Sequence, residues 1–165
     1  MYKKILVPTD GSDISAAAAI KGVAFAKHIG AELVGVYVAP EYQYPVYVEI
    51  IPPTYPSELE YQATMNKAGE IHLKPIQEAA LSAGVVFTGV TAFSDIPAQQ
   101  IVDTAKTNQC DLIYMGSHGR TGLGKFLLGS VTGKVLGLSS LPVLVDRLEQ
   151  APAKEAGPKT EPAAF

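Results

Sequence analysis

Apolar positions in this chain fall into short continuous runs separated by longer stretches of helical spacing. Lys4-Ile5-Leu6-Val7-Pro8 is such a run and predicts a buried strand ended by its proline. Asp10, Ser12 and Asp13 follow as capping side chains. Ala16, Ala17, Ile20, Val23 and Ala24 then recur at the period of a helix that Gly30 closes. Residues 32–38 predict a second strand. Helical periodicity over 58–83, stopped by Gly84, gives way to an apolar run at 85–90. A third helix over 97–106, opened by Ser94 and Asp95, leads to a fourth strand at 111–115. A last helix starts near Ser130 and fades by Leu138, and Leu141-Pro142-Val143-Leu144-Val145 predicts a fifth strand.

Strands that alternate with helices and are apolar along their whole length imply a mostly parallel sheet covered on both faces. Right-handed crossovers leave few ways to wind it. The expected fold is a single α/β domain over residues 1–147, an open five-stranded parallel sheet of order 3-2-1-4-5 with helices on both faces. Residues 148–165 are Ala, Pro, Lys and Glu with little periodicity and read as a flexible tail.

Two stretches depart from the pattern. Residues 40–56, with Tyr42, Tyr44, Tyr47, Ile50, Ile51 and Tyr55 among several prolines, are too many for an ordinary strand-to-helix loop. They read either as a proline-stiffened loop folded onto the domain edge or as a lid or partner surface. Pro75, inside the second helical segment, removes a backbone hydrogen bond and is expected to kink or split that helix.

Composition narrows the function. An apolar fraction of 47% and a charged fraction of 18% are globular values. A net charge of −3 offers no basic field for nucleic acid or anionic lipid. No apolar run is long enough to span a bilayer and no signal-peptide core is evident, so a soluble cytoplasmic protein is expected. The single Cys110 adjoins a strand and reads as a half-buried structural thiol. Tyr37 reads as core. His28 and His72 lie in helices far from His118, so no metal cluster is expected.

The chemistry concentrates after the fourth strand. Gly116-Ser117-His118-Gly119 and Gly129-Ser130 give the pattern G-x-x-G-x9-G-S. Glycines let backbone N–H groups approach an anion, and the following helix start adds unpaired N–H groups and a positive dipole end. In open α/β sheets ligands sit where the winding reverses, so Asp10 faces this loop across a crevice, placed to accept hydrogen bonds from ribose hydroxyls. Asp10 is equally a candidate cap for the first helix. The pattern is not the dinucleotide fingerprint, since only Gly11 follows the first strand. Nor is it a P-loop, because Phe126 follows Gly124-Lys125. His118 is read as a loop-packing or phosphate-proximal residue, or as an acid or base that lacks a visible partner. Arg120 and Lys125 either pair with phosphates or are solvated loop charges.

With these residues the chain resembles the universal stress protein family over residues 2–147. The opening Lys3-Lys4-Ile5-Leu6-Val7-Pro8-Thr9-Asp10-Gly11-Ser12, the Met115-Gly116-Ser117-His118-Gly119 and Leu127-Leu128-Gly129-Ser130-Val131 signatures, and the closing Leu141-Pro142-Val143-Leu144-Val145 occur in order. The resemblance implies an adenine nucleotide alpha hydrolase-like fold and the ATP-binding branch of the family. It implies Pro8, Thr9 and Asp10 beside the nucleotide, with Asp10 on the ribose and the Val38 backbone at adenine. Met115 and Gly116 would flank the sugar and first phosphate, and Gly119, Gly129, Ser130 and Val131 would hold the phosphates. Magnesium would arrive with those phosphates. It also implies a homodimer paired through the last strand at Val143, Leu144 and Val145.

The expected function is an ATP-dependent regulatory or stress-response protein with slow hydrolysis or none. No Walker-type aspartate or positioned base is visible, so no catalytic residue is named. Two alternatives stand beside it: a slow ATPase or nucleotidyl-transfer enzyme, and an interaction module binding AMP, cyclic AMP or no nucleotide.

Overall fold

The computed structural model describes residues 1–45, 55–117 and 128–147. Its elements run β1 (Lys4–Thr9), α1 (Asp13–Ile29), β2 (Glu32–Ala39), α2 (Glu58–Ala83), β3 (Phe87–Phe93), α3 (Pro97–Thr107), β4 (Leu112–Gly116), α4 (Ser130–Leu138) and β5 (Val143–Asp146). The strands form one parallel sheet of order β3-β2-β1-β4-β5. The winding starts at β1, runs outward through β2 to β3, and then reverses to β4 and β5.

Alternation along the strands feeds two cores. Ile5 and Val7 point to the face covered by α1 and α2, where they meet Val23, Leu73, Ile76 and Tyr114. Leu6 points to the opposite face with Val36, Ile101, Val102, Ile113 and Val135 beneath α3 and α4. Each fully buried aliphatic side chain contributes roughly 1.5–3 kcal/mol, so the central strands bind both helix layers to one sheet.

The helix ends follow from local chemistry. Ser12 caps α1 by accepting from the Ser15 N–H, and Gly30 ends it in a left-handed conformation at φ 70°. Ser57 and Glu60 form a reciprocal capping box at the start of α2, and Gly84 ends it at φ 72°.

The structure departs from the pattern reading in four places. The buried face of α1 is Ser15, Ala18, Ala19, Gly22, Val23 and Ala26, while Ile20 is 44% exposed. Small residues hold the sheet face because the helix lies close to it: a Cβ on Gly22 would come within 3.1 Å of Tyr114 and Val7. α2 runs unbroken through Pro75. Pro75 and Ile71 are both exposed, so water meets the Ile71 carbonyl that the proline leaves unbonded. β3 starts two residues later than expected, because the Val85 N–H is used to close α2 on Ala80 O. α3 opens with Pro97 at its first turn and no side-chain cap. Asp95 instead accepts from the Glu41 N–H (3.0 Å) and Gln43 Nε2 (2.9 Å).

That last pair helps to close the long β2–α2 connection, of which residues 46–54 lie outside the described residues. Its two ends are laced by tyrosines. The Tyr42 hydroxyl donates to Pro56 O, Tyr55 to Gln43 O and Tyr61 to Pro40 O, at 2.9, 2.6 and 3.0 Å. The Tyr42 ring packs 5.6 Å from Tyr61 and 6.2 Å from Tyr55.

Candidate functional site

At the carboxyl ends of the strands, where β1 and β4 part company, lies a cavity of about 320 Å³. Pro8, Thr9, Asp10, Val38, Met115, Gly116, Gly129, Ser130 and Val131 line it. These are nine of the residues named from sequence; Gly119, His118, Arg120 and Lys125 lie outside the described residues. Ser15, Pro97, Ile101 and Thr132 also line the cavity and were not named from sequence. Pro97 carried a signal, since a proline opening the helix after β3 sets that helix start at the sheet's carboxyl rim. Ile101 is an ordinary core residue by pattern and shows nothing in sequence.

Each wall follows from its element. The Asp10 carboxylate is held by a ring of donors: its Oδ1 accepts from the Ser12 N–H at 3.0 Å and from the Ser12 and Ser15 hydroxyls at 2.6 Å each. Asp10 is therefore not the α1 cap but the acceptor that orders the cap, Ser12, from outside the helix. Ser15 also contacts the Thr9 hydroxyl at 3.0 Å, which ties the end of β1 to the first turn of α1.

Val38 presents backbone. The Glu32 N–H bonds to Lys3 O on the β1 side and the Leu33 N–H to Val86 O on the β3 side. This alternation puts the Val38 N–H and C=O on the β1 side. The β1 register ends with Thr9 opposite Tyr37, and the next N–H, that of Gly11, turns away to Thr9 Oγ1. The Val38 carbonyl is thereby left at the cavity edge beyond the last paired residue.

The far wall is the start of α4. Its N-cap is Gly129, with no side-chain cap, so the N–H groups of Ser130, Val131 and Thr132 have no partner within the helix. This end is pinned to the sheet by two backbone bonds and one side-chain bond. Ser117 N–H donates to Asp146 O at 2.8 Å, and Gly129 N–H donates to Ser117 O at 2.7 Å. Thr132 Oγ1 adds a bond to Gly116 O at 3.0 Å. The result is an N-terminal turn aimed at the cavity, a ready anion site. Among the described residues no cluster of three or more His, Cys, Asp or Glu is arranged to hold a metal ion.

A doubly wound α/β domain with a cleft at its reversal point, an ordered aspartate on one lip and an uncapped helix start on the other is the class defined by this fold and site. The chain belongs to the universal stress protein family, whose profile matches residues 1–147. It is 36% identical over 149 residues to universal stress protein MJ0531 of Methanocaldococcus jannaschii, covering 88% of this chain and 82% of that one. It is 35% identical over 151 residues to YxiE of Bacillus subtilis, covering 89% and 100%. Among solved structures, that of MJ0577 superposes with a TM-score of 0.74 at 31% identity, covering 92% and 99% of the two chains. A universal stress protein solved in complex with cAMP shares the fold, with a TM-score of 0.63 at 22% identity over 88% and 97%. No described helix is long and apolar enough to cross a membrane.

Proposed function

We propose that this protein binds ATP in the cavity between β1 and β4 and acts as a nucleotide-dependent regulatory protein of the stress response. The observation that carries the reading is the convergence of Asp10, the Val38 carbonyl and the uncapped start of α4 on one cavity. An ordered carboxylate suits ribose hydroxyls. A lone backbone carbonyl suits the adenine amino group. The N–H groups of Ser130 and Val131, which have no partner within the helix, suit phosphates, with Gly129 allowing close backbone approach and Gly119 completing the phosphate side, as the family resemblance implies. Pro8, Thr9, Met115 and Gly116 form the walls between these points.

Magnesium comes with the phosphates in this reading, since a hard cation needs oxygen ligands that the triphosphate itself supplies. Binding is assigned rather than fast turnover. Asp10 is committed to three donors and serves as a fixed acceptor, not as a base awaiting a proton. The protein is further assigned to the cytoplasm, where ATP is held, and to a homodimer joined along β5. That strand is the sheet edge, and Val143, Leu144 and Val145 are only half-buried in the single chain.

The test is to denature purified protein, identify any released small molecule by mass spectrometry, and titrate the emptied protein with ATP and magnesium, AMP and cyclic AMP. Released ATP or ADP, or ATP binding tighter than the two monophosphates, is the expected result. Protein with no bound nucleotide and no ATP affinity overturns the reading, and preference for AMP or cyclic AMP overturns its triphosphate part.

A further inference from the structure

α2 passes behind the turn that joins β1 to α1. There the half-buried His72 ring lies 4.9 Å from the Tyr37 ring, tilted by 45°. Tyr37 belongs to the core beneath α1 and α2, whereas the cavity walls Met115 and Ile101 belong to the core beneath α3 and α4. His72 is thus separated from the cavity by the sheet and the turn, and is not itself a lining residue.

Its ring nevertheless fills the space behind the turn. A Cβ on Gly11 would run into His72, lying 2.8 Å from the ring's Cγ and closer still to Nδ1 and Cε1. Gly11 has φ +79°, a conformation that suits glycine, and it stands between Asp10 and Ser12. A glycine has no side chain with which to anchor a turn, and its backbone has the widest freedom of any residue. The Gly11 N–H reaches Thr9 Oγ1 at 3.2 Å from the front. The His72 ring, backed by Tyr37, closes the rear.

We propose that His72 is a positioning residue for the nucleotide site: clamped between Tyr37 and Gly11, its ring holds the Asp10-Gly11-Ser12 turn where Asp10 meets the ribose hydroxyls. The inference rests on the ATP reading above and deepens it. Removing the ring opens a void behind the residue best able to move into it, and Asp10 moves with Gly11. A phenylalanine keeps the flat ring and the brace.

The experiment titrates full-length wild type, H72A and H72F with ATP and with 2′,3′-dideoxy-ATP, which lacks both hydroxyls. A variant that merely loses stability binds both ligands less well and keeps their ratio. A displaced Asp10 abolishes the ratio. Wild type is expected to favour ATP by about tenfold, the scale of one charge-assisted hydrogen bond. H72A is expected to bring the ratio close to one and H72F to keep it. If H72A does not fold, H72L carries the same test. An unchanged ratio in the H72A or H72L protein overturns the positioning role, as does a ratio lost in H72F. Wild type that binds both ligands equally removes the ribose role of Asp10, and this inference with it, while ATP binding stands. Wild type that binds neither overturns both proposals.

Discussion

The Ser15 hydroxyl donates to Asp10 Oδ1 at 2.6 Å, so a residue buried where α1 meets the sheet also fixes the carboxylate at the lip of the cavity. Ser15→Ala removes this donor and the Thr9 contact together while leaving the Ser12 donors. A stability loss of about 1–3 kcal/mol is expected, the range for a buried or charge-assisted hydrogen bond. Urea unfolding measures it. A midpoint equal to wild type would show that the Ser12 donors alone order Asp10.

Ser130→Pro separates the phosphate site from the fold. Ser130 is the first residue of α4, where proline fits because its missing N–H has no helical partner. Gly129 already has the extended conformation that precedes a proline, at φ −56° and ψ 148°. The variant should melt near the wild-type temperature and lose at least about tenfold in ATP affinity, with AMP less affected. Undiminished ATP binding would remove the α4 start from the phosphate site.

Edge pairing can be tested at one residue. Ile113 N–H bonds to Pro142 O and Ser117 N–H to Asp146 O, so even-numbered residues of β5 face β4. The backbone groups of Val143 and Val145 then point off the sheet edge. Val145→Pro deletes an outward donor and spares the ladder to β4. Sedimentation is expected to show a dimer in wild type and a monomer in the variant. The same mass for both proteins would rule out pairing through that edge.

Alkaline pH should destabilise the protein. Burial pushes the Cys110 thiol up to about 11, with a smaller opposing pull from Lys4 and a push from Asp111. Burial, then the charge and hydrogen bond of Asp146, push the Tyr114 hydroxyl up to about 12. Both groups keep their protons longer in the native state than in the unfolded chain. Their contribution is complete below the unfolded values of 9.0 and 10.0 and is lost as pH rises through the native ones. Unfolding free energy should therefore fall between about pH 9 and 12, by on the order of 2 kcal/mol for the thiol. Cys110→Ala should flatten the lower part of the decline, and an unchanged slope would place its cause elsewhere.

Gly69→Ala tests the close approach of α2 to β3. The added methyl would run into the Thr91 hydroxyl and lie 3.1 Å from Thr91 Cβ and Cγ2. A loss of about 1–3 kcal/mol is expected from overpacking. Adding Thr91→Ala should restore part of it in a double-mutant cycle. Simple additivity of the two changes would show that the helix shifts rather than strains.

Strand order and helix ends were legible where a residue has one local use. Gly30 and Gly84 mark the ends of α1 and α2 by capping chemistry alone, and the structure puts them there, whereas the capping box of Ser57 and Glu60 was present in the sequence and not read. Val85 and Val86 misled because an apolar pair reads as strand, although Val85 closes a helix and Val86 is 63% exposed. Ile20 misled in the same way: the sheet demands small residues across from Tyr114, and hydrophobicity alone does not register size. Asp10, Gly116 and Gly129 were legible because glycine and aspartate are conspicuous at strand and loop ends, whereas Pro8, Thr9, Val38, Met115 and Val131 came only with the family resemblance. Ile101 and Thr132 were not legible, because helix packing alone brings them to the rim, and Pro97 was read only as a helix start.

The bond from Ser117 to Asp146, and from Gly129 to Ser117, gives the chain a sequence of completion. β5 follows the other strands along the chain, and until it docks the bond from Ser117 to Asp146 cannot form and the start of α4 is held only to Gly116 and Ser117 at the end of β4. A nascent chain can assemble β1, β2, β3 and β4 and still present a cleft whose far wall is anchored only at the end of β4. On the nucleotide-binding reading proposed above, a cut ahead of β5 is therefore expected to loosen the phosphate end of the site while sparing most of the core.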